Sequence, residues 1–289
     1  MTYDFAVLPW SIPTLILIIA MPTTACAQEV TSNVRSSLPI GWVQAPSRQQ
    51  NAELWSCAGF GGSWIVSNDN GSIALKRFDP NEHKQTPMPP HLSLSKKMIG
   101  QRSVQPTSDG WLVGFDAGEF GGGLWWFNRA GSKSTKLLPD NVHAIYKTSL
   151  GTLILVGLNH MGDYGAVYKY ADAPTTKSAV LLAKLDGSPE ASTVTPDGNV
   201  IVATSHSVLQ VDENAGIHDL YNTTEYLTYP TSAAMDVDET VYVAMTFFVL
   251  RLIPQNGKYA AQWLMPEQCR STKLEKNICS CTGEGKQPN

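Results

Sequence analysis

Apolar residues along the chain fall into short runs of about four to eight, each stopped by a turn dipeptide or a polar loop. Val200, Ile201, Val202 and Val241, Tyr242, Val243 are typical. They are β-branched or aromatic, side chains that fit a pleated surface and lose rotamer freedom in a helix. The runs are continuous and do not alternate, which suits strands covered on both faces. A helical stripe does not fit them.

One pattern recurs: a turn dipeptide, an apolar strand, a polar loop and a second apolar strand. It reads SDGWLVGFDAGEFGGGLWWFNRAG from Ser108, SLGTLILVGLNHMGDYGAVYKYADA from Ser149, PDGNVIVATSHSVLQVDENAG from Pro196 and VDETVYVAMTFFVLRLIPQNG from Val237, with a weaker copy, GGSWIVSNDNGSIALKRFDPN, from Gly61. The positions Asp109, Leu150, Asp197 and Asp238 stand 41, 47 and 41 residues apart, the period of one propeller blade. A shorter apolar stretch precedes each turn (SVQPTSDG, HAIYKTSLG, STVTPDG, SAAMDVDE). Each copy therefore predicts a blade of inner strand, turn, second strand, loop, third strand, turn and outer strand. The expected fold is all-β, a β-propeller of about five four-stranded blades over residues 51–266, or six if Leu38 to Ala45 supplies strands. The segment before Cys57 or the strand from Tyr259 is expected to close the ring, since one blade alone cannot cover both its faces.

Composition agrees with strands and tight turns: charged residues are 16% of the chain, against 23 Gly, 18 Pro, 8 Trp and 10 Tyr. A formal charge of -4 without a Lys/Arg stripe excludes a nucleic-acid partner. Residues 1–27 read as an export signal, an apolar run from Phe5 to Met21 followed by the A-x-A triplet Ala25, Cys26, Ala27. The competing reading is a membrane anchor, but the run holds Pro9 and Pro13 and falls short of the roughly 20 residues a spanning helix needs. No stable span is expected once it is removed. Asp4 stands where a signal usually carries Lys or Arg. The expected location is secreted or periplasmic, with lipid attachment at Cys26 as the alternative.

Residues 28–50 form an N-terminal segment and 267–289 a Cys-containing flexible tail. Cys57, Cys269, Cys279 and Cys281 are an even set, which in an oxidising compartment suggests disulfides of three alternative connectivities. A bridge from Cys57 to the tail would staple the ring. Metal binding by Cys279 and Cys281 is the other reading, with no His nearby to complete it.

The tract TPDGNVIVATSHSVLQVDENAG resembles blades of NHL-type and gluconolactonase-like propellers, and YPTSAAMDVDETVYVAM from Tyr229 resembles the start of an inner strand of the latter. The resemblance covers about 200 residues as blade grammar and implies a fold superfamily. It also implies a divalent ion at the ring centre, held by a carboxylate and by amides in an Asn-Gly after Pro. Here Pro230 precedes Thr231 and Ser232, and Pro189 precedes Glu190 and Ala191. The second keeps an oxygen ligand; neither keeps the amide.

Blade order sends two sets of polar residues to one end of the ring. The loops between second and third strands carry Asp116 and Glu119, Asn159, His160 and Asp163, Ser205 and His206, and Thr246 with Phe247; Arg102, His143, Glu190 and Ser232 lie just before or within inner strands. Carboxylates, imidazoles and a guanidinium on one rim suit a divalent metal, a sugar or a small anion. The plain alternative for each is a solvated loop residue. His160 beside Asp163 is the pair that best fits a base or a ligand. Gly121 to Gly123 lack the following helix of a phosphate cradle. Alternation sends Trp125 and Phe127 to one blade face and Trp126 to the other, as core. No G-x-S-x-G or H-E-x-x-H is present. The leading expectation is a scaffold that binds a small molecule or protein. The alternative is a metal-assisted hydrolase or lyase acting on a small molecule or sugar, with His143, His160, Asp163 and Glu190 as ligands or proton carriers.

Overall fold

The computed structural model describes residues 37–56, 62–79, 81, 86–89, 91–160, 162–173, 176–212, 214–223, 227, 229–271, 273–275 and 278–280. The expected export signal and Cys26 lie outside them. The described chain is almost wholly β. An N-terminal strand, β1 (Trp42–Gln44), and a short helix, α1 (Ala52–Ser56), precede a hairpin of β2 (Trp64–Asp69) and β3 (Ser72–Arg77). Three four-stranded antiparallel sheets follow. They contain β4 (Gln101–Pro106), β5 (Gly110–Asp116), β6 (Gly122–Asn128) and β7 (Ser134–Leu138); β8 (Val142–Thr148), β9 (Gly151–Asn159), β10 (Asp163–Asp172) and β11 (Lys177–Leu185); and β12 (Ala191–Val194), β13 (Val200–Ala203), β14 (Ser207–Val211) and β15 (Ile217–Asn222). The last sheet holds β16 (Ser232–Met235), β17 (Val241–Ala244), β18 (Val249–Gln255) and β19 (Lys258–Pro266), and a small hairpin of β20 (Lys273–Glu275) and β21 (Ile278–Ser280) ends the described chain. Within each four-stranded sheet neighbours in sequence are neighbours in space. This is the blade order expected of an all-β propeller.

The continuous apolar runs are explained by burial on both faces. In β13 every residue is buried. Val200 and Val202 face Leu153, Leu155 and Val167 of the preceding blade, while Ile201 and Ala203 face Ala233, Val241 and Val243 of the following one. The interface between the second and third blades is built likewise from Leu112, Leu124, Ile145, Ile154 and Val156. Each such side chain taken fully from water contributes about 1.5–3 kcal/mol. Trp125 and Phe127 pack on one face of their blade and Trp126 on the other, as alternation requires.

Two elements depart from the simple repeat. The first blade has two described strands, β2 and β3. Beyond it, Met88, Leu92 and Met98 pack without strand structure onto Val113, Phe115 and Phe127 of the second blade. Strand β1 pairs antiparallel with β19, Val43 opposite Met265, as a fifth strand of the last blade. Leu38 to Ala45 thus supplies a strand that extends the last blade. Trp42 meets Trp64 edge to face, with ring centroids 4.8 Å apart, so the N-terminal strand joins the first blade to the last. Thr231 donates its hydroxyl to the Trp64 carbonyl and the Ser232 hydroxyl accepts the Val66 N–H at 2.8 Å.

Cys269 is buried and disulfide-bonded. Cys57 and Cys281 lie outside the described residues, and only the backbone of Cys279 is described, in β21. No helix among the described residues is long and apolar enough to cross a membrane.

Candidate functional site

Inner strands β4, β8, β12 and β16 lie side by side and begin at the same end. Their first residues surround a cavity of about 260 Å³ whose wall includes Arg102, Asp116, His143, Tyr146, Glu190 and Ser232. Asp116 ends β5, His143 is the second residue of β8, Glu190 directly precedes β12 and Ser232 opens β16. Residues from four blades, remote in sequence, therefore share one wall.

Asp116 is held by its own loop. Its Oδ1 accepts the Gly118 N–H at 2.9 Å, and buried Asn141 clamps the same turn, accepting from Ala117 N at 3.2 Å and donating to Gly118 O at 2.8 Å. This leaves Asp116 Oδ2 3.3 Å from His143 Nδ1. The other ring nitrogen, Nε2, lies 3.1 Å from Ser188 Oγ and 3.2 Å from Gly157 O. His143 is thus fixed at both nitrogens, its ring between blades.

The loop bearing Ser188 and Glu190 is placed by close backbone approach. Glu190 N donates to Ser188 O at 2.9 Å around Pro189, a three-residue turn that sets both side chains beside His143. A Cβ on Gly165 would sit 2.1 Å from Gly187 O, so this loop can rest on β10 only because that residue is glycine. Asp163 Oδ1 accepts the Ser188 N–H at 2.7 Å and its Oδ2 accepts the Ser205 hydroxyl. Burial pushes the Glu190 carboxyl above its ordinary range and the Asp163 carboxylate adds to that, while His143 and the Ser188 and Asn159 side chains pull the other way. Burial also raises the Tyr146 phenol, whose hydroxyl donates to Ser192 O at 3.1 Å.

The remaining candidates lie further out. His160 pairs with Glu119, Nδ1 to Oε2 2.8 Å, and both are largely exposed. The expected His160–Asp163 pair is not formed: Asp163 is turned to Ser188 and Ser205, with His206 Nε2 3.7 Å from its Oδ2. Asn159 ends β9 and contributes to the Glu190 environment. Sequence reasoning missed Ser188, Asn141 and Tyr146. The one sequence signal for Ser188 is its place before Pro189-Glu190.

A divalent ion does not fit this donor set. Among the described residues no three His, Cys, Asp or Glu side chains converge as ligands, and both nitrogens of His143 already face other groups.

No protein-family model matches the chain, and no curated protein matches it. Among solved structures it is similar to virginiamycin B lyase from Staphylococcus aureus, at 14% identity over 59% of this chain and 57% of that one, with a TM-score of 0.40. It is also similar to a gluconolactonase from Xanthomonas campestris, at 10% identity over 70% and 67% with a TM-score of 0.39, and to a putative 6-phosphogluconolactonase from Bacteroides uniformis, at 13% over 71% and 67% with 0.40. The chain spans less than two thirds of the lyase's length. These likenesses are partial and distant, and the functional reading is carried by the cavity's own residues.

Proposed function

We propose that this chain is an acid–base enzyme of hydrolase or lyase type, acting on a small polar molecule in the central cavity with Glu190 as the proton-carrying group. The observation that carries the reading is a carboxyl driven toward its protonated form by burial, in the cavity wall, beside an imidazole that itself faces a carboxylate at 3.3 Å. A carboxyl with a raised pKa holds and returns a proton at higher pH than an ordinary glutamate does. A binding scaffold needs no such group, and keeping one buried costs stability. Serine, threonine and tyrosine hydroxyls around the wall suit a hydroxylated ligand, and Arg102 adds one guanidinium. The leader-like run and the disulfide at Cys269 support an exported setting.

The test pairs the wild-type chain with Glu190→Gln on two kinds of probe: small aryl esters, read by phenol release, and hydroxylated uronate esters, read by absorbance of the unsaturated elimination product. Turnover of one class by the wild type, lowered about 100-fold or more in E190Q, is the expected result. Binding of hydroxylated ligands with no turnover of either class, unaffected by E190Q, would return the chain to the scaffold reading.

A further inference from the structure

We propose that Ser188 is a proton relay between Glu190 and His143, so that the working unit is the chain Glu190, Ser188, His143, Asp116. This deepens the reading above and rests on it. Ser188 is fully buried and absent from the cavity wall, so its hydroxyl has no surface from which to attack a ligand. Its Oγ lies 3.1 Å from His143 Nε2, and its side chain hydrogen-bonds the Glu190 carboxyl. A hydroxyl donates and accepts at once, which lets it take a proton from one neighbour while handing its own to another. Asp163 serves as a positioning residue: its Oδ1 holds the Ser188 backbone at 2.7 Å and its Oδ2 is tied to Ser205.

The step balances as proton movement alone. With His143 protonated, Nδ1–H faces the Asp116 carboxylate and Nε2–H donates to the Gly157 carbonyl at 3.2 Å and toward Ser188 Oγ at 3.1 Å, while the Ser188 hydroxyl donates to the Glu190 carboxyl. Protonated Glu190 gives its proton to the bound molecule; the Ser188 proton passes to Glu190 as the Nε2 proton passes to Ser188 Oγ, leaving His143 neutral with its Nδ1–H on Asp116. Reversal carries a proton from the product or its attacking water back to Nε2. No bond to Ser188 forms or breaks beyond O–H. The charged or titratable groups facing the unit are Asp116 from β5, His143 from β8, Asp163 from β10, Glu190 itself, Arg102 and Tyr146, which share the cavity wall, and His206, which faces Asp163 from the connection after β13.

Heteronuclear NMR on the full chain tests this without a substrate. In the wild type the His143 Nε2 signal should shift as Glu190 titrates, and in Ser188→Ala that response should vanish while a native β spectrum remains. An unchanged response in S188A would overturn the relay. Once a turned-over probe is known, rates in mixtures of light and heavy water test the wild-type chain directly, even if S188A fails to fold. Curvature denoting two protons in flight is expected; a linear dependence would overturn the relay. S188A should lower kcat about 100-fold and move the pH profile, with little change in KM. If S188A matches wild type in rate and pH profile while E190Q is inactive, the relay falls and the Glu190 reading stands. If E190Q is as active as wild type, that reading falls with it.

Discussion

Two influences oppose ionisation of the Glu190 carboxyl, burial and Asp163, and three favour it, His143, Ser188 and Asn159; burial prevails. A raised pKa in the folded chain favours the protonated form there. Its stabilisation is fully present below the ordinary glutamate range and is lost as pH rises through the raised value. Glu190→Gln should therefore match the wild type in urea midpoint at acid pH and exceed it at neutral pH. Lys177 is an opposite case. Its ammonium lies 2.8 Å from Asp109 and 2.5 Å from Asp172, over the ring of Trp126, and both carboxyls are held below their usual range, chiefly by hydrogen bonds from Lys177. Depressed carboxyls contribute stability above their unfolded values and lose it as pH falls through the folded ones. Because Asp109 is about half exposed, Lys177→Met should cost only about 1 kcal/mol at neutral pH, a gap that narrows in acid urea titrations. At this scale His143 and Glu190 were legible as polar residues at inner-strand starts. Ser188 was not, since a buried serine leaves no mark in a sequence. Nor was the partner of His160, because adjacency within one loop says nothing about which neighbouring blade the ring reaches.

Strand β1 shows what an element only three residues long can do when its partner is an exposed edge. Its backbone extends the β19 edge, and Trp42 fills the seam with Trp64, Tyr242 and Leu264. Trp42→Ala should cost about 3–5 kcal/mol by urea denaturation, the usual loss for a buried tryptophan; a change below 1 kcal/mol would show that the strand is ornamental. The central strands were readable because Asp-Gly and Leu-Gly turns punctuate continuous apolar runs. The first blade, with two described strands, was less so. Pro87, Pro89 and Pro90 follow it, and proline supplies no N–H to a ladder, which disfavours strand pairing in the described residues 86–89 and 91–92. The segment instead spends Met88, Leu92 and Met98 on covering the second blade.

Across the molecule, blade packing is what turns scattered residues into one wall, and Gly165 is where that packing is least forgiving. Gly165→Ala would drive a methyl into the Gly187 carbonyl, costing about 1–3 kcal/mol and shifting the loop that carries Ser188 and Glu190. It should lower both the urea midpoint and turnover, whereas an alanine on open Gly118, also near the mouth, meets no atom within 4 Å and pays only for its positive φ of 57°. The repeat period foretold that polar residues from several blades would meet at one end. Which of them reach the cavity depends on loop paths such as the turn around Pro189, which no spacing encodes. The most direct measurement is an NMR titration of the Glu190 carboxyl, assigned by comparison with Glu190→Gln. A midpoint clearly above the ordinary glutamate range, moving when His143 is replaced by Gln, is the predicted result. A midpoint at or below that range, indifferent to His143, would contradict the shared cavity and the chemistry assigned to it.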